Sequence, residues 1–280
     1  MLHRLPDGLE MYYEIQGKID SETTLVFLNG LSQNTLSWAG IAPAFYTDCR
    51  VVLVDFIFQG QSQKAEKFRT YDEHAADVYD LLSSLPSISS LNLQGEDEKK
   101  MKLFLCGISY GSAIAQHLLV NYPDLFAGAI LLSTFGHATP QFNAIGESWI
   151  SALKAGGYAL MLDVMLPIVL GKSYFENPLI PISVMKESRV ARDLDTDSLL
   201  KLMEGTNERG DYREKLKRVK IPVVVVQGEE DFLIPPSIAK DVAENISGSE
   251  FIVLEKVGHT LNLEAIPQTI QIIKKFIISH

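Results

Sequence analysis

An α/β protein with a mostly parallel, doubly wound sheet and a helical insertion is what this sequence predicts, and three observations carry the prediction. Short apolar runs rich in β-branched residues alternate with amphipathic segments through most of the chain. A glycine-flanked serine ends one of those runs just where a helical pattern begins. One long stretch in the second half carries helical patterns and no clear strand. Strands covered on both faces read as near-continuous apolar strings, and their alternation with helices is the signature of a layered α/β sheet.

Taken in order, the chain opens with alternating residues around Pro6–Gly8, a turn that suits a hairpin. The runs TTLVFLNG, CRVVLVDF, MKLFLCGIS, AGAILLST, IPVVVVQGEED and SEFIVLEKVGH then read as strands. Between them, Ala75, Val78, Leu82 and Leu85 recur at helical spacing, as do Ile266, Ile270, Ile273 and Ile277. Pro86 to Lys100, Ser-rich and then charged, reads as a surface loop. The strand-free stretch divides the chain into a core of residues 1–134 and 221–280 and a helical cap of residues 135–220. The cap's middle, Tyr158 to Leu170, is almost wholly apolar; it reads first as a helix packed on the main domain, with Met161 and Met165 as the alternative, candidates for the wall of a substrate pocket.

Composition narrows the function. With 46% hydrophobic and 21% charged residues among 280, the chain has the makings of a full globular core. A formal charge of −10 argues against nucleic acid and anionic membranes as partners. Cys49 and Cys106 sit at the edges of apolar runs and read as reduced core residues rather than a disulfide framework. The N-terminal residues show no signal-peptide pattern, and no uninterrupted apolar stretch reaches the length of a membrane helix, so a cytoplasmic protein without a membrane span is expected. No cofactor or metal site is expected, and no G-x-G-x-x-G follows the first strands.

The sharpest chemical signal is GISYG, Gly107 to Gly111, between the run MKLFLC and the helical AIAQHLLVNY. A G-x-S-x-G at a strand–turn–helix junction holds its serine in a strained turn with the hydroxyl exposed, and small neighbours are needed because strand and helix approach closely. Ser109 is therefore the candidate nucleophile, and the amide of Tyr110 is a candidate oxyanion donor. A serine hydroxyl needs a base, itself oriented by an acid. Of six histidines, only His259 follows a late strand, in VLEKVGHT; Asp231 ends the preceding strand run, with Glu229 and Glu230 as adjacent, more solvated carboxylates. The turn Asn29-Gly30-Leu31 after the first inner strand offers a second donor, the Leu31 amide. Gly30 there allows close backbone approach, and Asn29 is either a turn former bonding the loop or a further candidate substrate contact. His137, where the cap begins, is a candidate pocket residue.

These residues resemble the α/β-hydrolase superfamily from about Leu9 to Ile278, which implies a serine hydrolase acting on a carboxylic ester or thioester. Within it, LNGLSQNTLSW, the D-x-x-F-x-G-Q-S of Asp55–Ser62, NERG at Asn207–Gly210 and GHTLNLE are similar to the rhamnolipid-pathway hydroxyalkanoyl-ester synthases and the 3-hydroxyacyl carrier-protein–CoA transacylases. The chain departs from them in carrying Gly107 at the head of the elbow. That likeness implies an acyltransferase as the alternative, with an acyl carrier protein as possible donor, for which Arg213, Lys215, Lys217, Arg218 and Lys220 offer a basic run. A weakly catalytic ligand receptor on the same fold is a third reading.

Overall fold

The computed structural model describes residues 1–85, 101–190 and 194–280; the surface loop expected over residues 86–100 lies outside them. Eight strands form one sheet in the order β1-β2-β4-β3-β5-β6-β7-β8. The N-terminal hairpin pairs β1 (Leu2–Arg4) with β2 (Glu10–Gly17), and β2 runs antiparallel to β4 (Arg50–Val54). All remaining pairings are parallel: β3 (Thr23–Leu28), β5 (Lys102–Ile108), β6 (Gly128–Leu132), β7 (Val223–Gly228) and β8 (Glu250–Leu254). The chain leaves β3 toward β4 on one side and returns to β5 on the other. The carboxyl ends of β3 and β5 therefore diverge into a crevice, the usual ligand position in an open α/β sheet.

Alternation within each strand divides the core between the two faces. Val52, Val54, Leu103 and Leu105 join the cluster beneath α1 (Tyr71–Ser84) and α2 (Tyr110–Asn121). Val51, Leu53, Phe104 and Cys106 join the opposite cluster, with two 3-10 turns (Thr35–Trp38 and Ala42–Phe45) and the C-terminal helix. Helix α1 begins at a capping box in which Thr70 and Glu73 satisfy each other's backbone amides. Both cysteines are free and buried.

Helices α3 (Pro140–Val169), α4 (Lys172–Glu176), α5 (Ile182–Val190), α6 (Thr196–Asn207) and α7 (Arg213–Leu216) fill the gap between β6 and β7, with no strand among the described residues. Their buried residues, Leu153, Met161 and Leu202 among them, belong to the same apolar cluster as Val26 and Ala113 of the sheet layer. Helix α3 is long and apolar enough, with a mean hydropathy of 1.5, to meet the composition of a membrane span. The sequence led us to expect no such segment. Gly156 and Gly157 (φ 66°) break its helical geometry, and Met161, Leu162, Met165, Leu166 and Val169 are buried within the fold. The chain closes with α8 (Pro236–Glu244), β8, the short α9 (Leu261–Glu264) and α10 (Ile266–Ser279), whose Ile273 and Phe276 are buried.

Two tests follow from this packing. A Cβ at Gly111 would overlap the Leu28 carbonyl oxygen and come within 2.5 Å of that of Asn29, both rigid backbone. Gly111→Ala is expected to lower the unfolding free energy by about 2 kcal/mol or more, measured by urea denaturation. Burial lowers the pKa of His74, packed against Phe56 and Tyr110, to about 3, and lowers that of His117 to about 4. Between those values and 6.5 the folded chain binds fewer protons at these rings than the unfolded chain. Their stabilising contribution is thus complete above pH 6.5 and is lost as pH falls. Asp77, its pKa raised by burial to about 7, works against this between pH 7 and pH 5, so the test is the slope: His74→Leu should make the urea midpoint less sensitive to acidification than the parent's.

Candidate active site

Strand β5 delivers Ser109 to the crevice at φ 53° and ψ −113°, a left-handed backbone that a non-glycine residue tolerates when its surroundings enforce it. Here they do. Gly111 sits against the carbonyls of Leu28 and Asn29, and a Cβ at Gly107 would lie 2.5 Å from the Gly111 oxygen. The helix cannot back away, so the turn between strand and helix must be sharp. The Ser109 amide bonds to the Leu132 carbonyl at 2.9 Å, locking the turn to the next strand.

Asp231 and His259 come from the turns after β7 and β8. Their closest atoms, Asp231 Oδ2 and His259 Nδ1, are 2.7 Å apart, and both residues are buried. Asp231 is held on every side: Oδ1 accepts the Leu233 and Ile234 amides at 2.9 and 2.8 Å, and Oδ2 accepts from Gln227 Nε2 at 2.6 Å. The His259 amide donates to Val169 O, and its carbonyl accepts from Ser133 Oγ at 2.7 Å, one strand over from Ser109. No hydrogen bond joins Ser109 Oγ to the His259 ring among the described residues; such bonds commonly tighten only once substrate is bound.

A cavity of about 540 Å³ opens above Ser109 and is lined by Leu31, Tyr110 and His137 among others. The backbone N–H groups of Leu31 and Tyr110 have no hydrogen-bond partner among the described residues, which leaves both available to a ligand oxygen.

The structure revises several of the expected contacts. Asn29 is fully buried. Its Nδ2 donates to Val54 O at 2.7 Å and reaches Asp55 and Gln59, while its Oδ1 accepts from Trp38 Nε1 at 2.9 Å. With every polar atom engaged, Asn29 is a support for the turn and not a substrate contact. Gly30 is likewise absent from the cavity lining; its carbonyl accepts from Gln59 Nε2 at 2.8 Å. Met161 and Met165 are packed in the core cluster and do not line the cavity, because their helix turns that face toward the sheet layer. Glu230 is not a solvated loop charge: it accepts from Ser173 N and Oγ, both at 2.8 Å.

Other residues here were not read from the sequence. Gln227 aligns Asp231, and Gln59 pins the Gly30-Leu31 turn. Asp55, its pKa raised by burial, gathers the Thr35 and Gln61 amides. Glu264 accepts four bonds, from the amides of Gly171, Gly258 and Thr260 and from Thr260 Oγ1, so it ties the end of α3 to the loop of His259. Its signal lay in GHTLNLE, where an acid five residues after the histidine can fold back on its own loop.

The sheet order, the sharp serine turn and the buried acid–histidine pair define an α/β hydrolase. The family profile of serine aminopeptidase, S33, matches residues 20–265, and the chain belongs to that family. It is similar to the uncharacterized hydrolase YugF of Bacillus subtilis, 24% identical over 269 residues covering 90% of this chain and 89% of that protein. Similar too is karrikin insensitive 2 receptor IA of Petunia hybrida, 24% identical, with 92% and 91% covered. Among solved structures, MGS-M2, an α/β-hydrolase enzyme from a Medee basin deep-sea metagenome library, superposes with a TM-score of 0.85 at 22% identity, over 100% of this chain and 98% of that one.

The buried amide of Asn29 yields its own test. Asn29→Ala strands Trp38 Nε1 and Val54 O, and is expected to cost about 2 kcal/mol of stability. A variant as stable as the parent, with only KM for an ester raised, would return Asn29 to the substrate-binding set.

Proposed function

We propose that this chain is a serine esterase whose nucleophile is Ser109, with His259 as general base and Asp231 orienting it. The reading is supported by a strained, half-buried serine that lines the cavity with two unpartnered amides, and by a buried Asp–His pair on the loops after the neighbouring strands. On this reading Ser109 Oγ attacks the acyl carbonyl as its proton passes to His259 Nε2. The amides of Leu31 and Tyr110 take the negative oxygen of the tetrahedral intermediate. His259 then protonates the departing alcohol or thiol, leaving an acyl-enzyme. Water, deprotonated by the same ring, attacks it; the acid leaves and Ser109 regains its proton. In this scheme residues 1–134 and 221–280 form the catalytic core, and residues 135–220 are the cap that supplies most of the cavity wall.

The acyl-transfer alternative draws less support. The Asn29, Asp55 and Ser62 positions that suggested it are taken up in internal hydrogen bonds. The basic run that could meet an acyl carrier protein is partly neutralised, Arg213 by Asp211 and Asp241 and Lys217 by Glu214. The likeness to a plant receptor leaves a third reading, a weakly catalytic ligand receptor whose serine is acylated once and not released, but does not favour it over the esterase.

Steady hydrolysis of p-nitrophenyl butyrate, with labelling by a fluorophosphonate, separates these readings. Ser109→Ala and His259→Ala should each lower turnover about a thousandfold or more while keeping the parent's urea midpoint. Wild-type turnover in either variant would sink the assignment, and labelling without turnover would favour the receptor.

A further inference from the structure

The cavity above Ser109 is rich in donors that the protein leaves unused. Arg209, in the segment after α6, lines it. The guanidinium is packed among Tyr71, Phe135 and Tyr212, with ring centroids 5.4, 5.1 and 4.9 Å away. Its three bonds all go to neutral acceptors: Phe135 O at 2.7 Å, Gln116 Oε1 at 2.6 Å and His117 Nε2 at 3.2 Å. A guanidinium carries five N–H donors, so two remain. No carboxylate lies within ion-pairing distance of it among the described residues. Burial lowers its pKa to about 10, a sign that the charge is held at a cost.

Two further groups face the same shortage. Trp149 lines the cavity, is 5% exposed, and its Nε1, which can only donate, has no partner among the described residues. His137 Nδ1 is buried and equally unpartnered. The two carboxylates of the lining do not supply the missing charge. Asp211 is bound by Arg213 at 2.7 and 3.0 Å, which holds its pKa at about 2, and Glu147 is exposed. Elsewhere the wall mixes apolar Phe142, Ile150 and Leu233 with the uncharged Asn143, Thr206 and Asn207.

We infer that the cavity takes an ester whose non-reacting end carries an ionised carboxylate, received by Arg209 with Trp149 Nε1 and His137 completing its hydrogen bonds. The ligand class is the half-ester of a short dicarboxylic acid: an apolar spacer along the wall, the ester at Ser109 and the anion at Arg209. This deepens the esterase reading of the same site and rests on it for turnover. It does not rest on it for binding. The three bonds that Arg209 already makes are a structural clamp between cap and core, and the two unused donors add recognition to that role.

The test separates binding from chemistry. Monomethyl and dimethyl adipate are titrated calorimetrically into Ser109→Ala, and both are offered as substrates to the wild-type enzyme. The monoester should bind at least tenfold more tightly than the diester, with kcat/KM favouring it by a similar factor. Adding Arg209→Gln should erase the preference, Arg209→Lys should keep part of it, and Trp149→Phe should weaken the monoester severalfold while sparing the diester. If Arg209→Gln fails to fold, by its urea midpoint, the lysine and phenylalanine variants decide. Equal binding of the two esters, binding of neither, or a preference that survives loss of the Arg209 charge and the Trp149 N–H overturns the inference. Tight monoester binding without turnover of either ester would keep it and sink the esterase reading. Turnover of both with equal affinity would do the reverse.

Discussion

Everything at this site depends on how closely α2 is pressed against the end of β3. At Gly111 there is room for a hydrogen and nothing larger, because the carbonyls of Leu28 and Asn29 occupy the space a side chain would need. That contact leaves the connection from β5 no gentle route into its helix, so Ser109 is driven to positive φ and its hydroxyl stands clear of the sheet. The same contact brings the Gly30-Leu31 turn beside the first turn of α2, where the Tyr110 amide lacks an intrahelical partner by the geometry of a helix start. One steric fact thus accounts for both the strained serine and the helix-start amide beside it.

How much of this was legible in the sequence depended on the range of the interaction. Ser109, Gly107 and Gly111 are neighbours along the chain, so their junction could be read from five letters. Asp231 and His259 each end a strand run and could be read from position, and the structure brings them to 2.7 Å. The side chains that support them could not. Asn29, Trp38, Asp55 and Gln59 form one buried network across 30 residues, and a motif that looked like recognition of a substrate is the internal bracing of a turn. Met161 and Met165 could be read only in part: an apolar stripe says that a helix face is buried without saying whether it meets core or ligand, and here both residues join the core cluster.

The insertion resists division from the sheet on physical grounds. It reads as a separate helical block in sequence because strands cease, yet its buried residues share one apolar cluster with the strands beneath. Arg209 adds a polar tie, bonded to Gln116 of α2 and to Phe135 at the insertion's entrance. Helix α3 shows the same continuity, since the buried face of its apolar, span-like window, Met161, Leu162, Met165, Leu166 and Val169, packs within the protein.

Glu264 gives that continuity a mechanical meaning. One carboxylate grips the backbone of Gly171, at the insertion's descent from α3, together with the backbone on both sides of His259. The His259 amide is itself bonded to Val169. The far end of α3 and the histidine loop are therefore a single rigid joint. Any breathing of the roof over the cavity has to pivot elsewhere, and the break at Gly156–Gly157, where a helix already abandons its own geometry, is the compliant place along that beam.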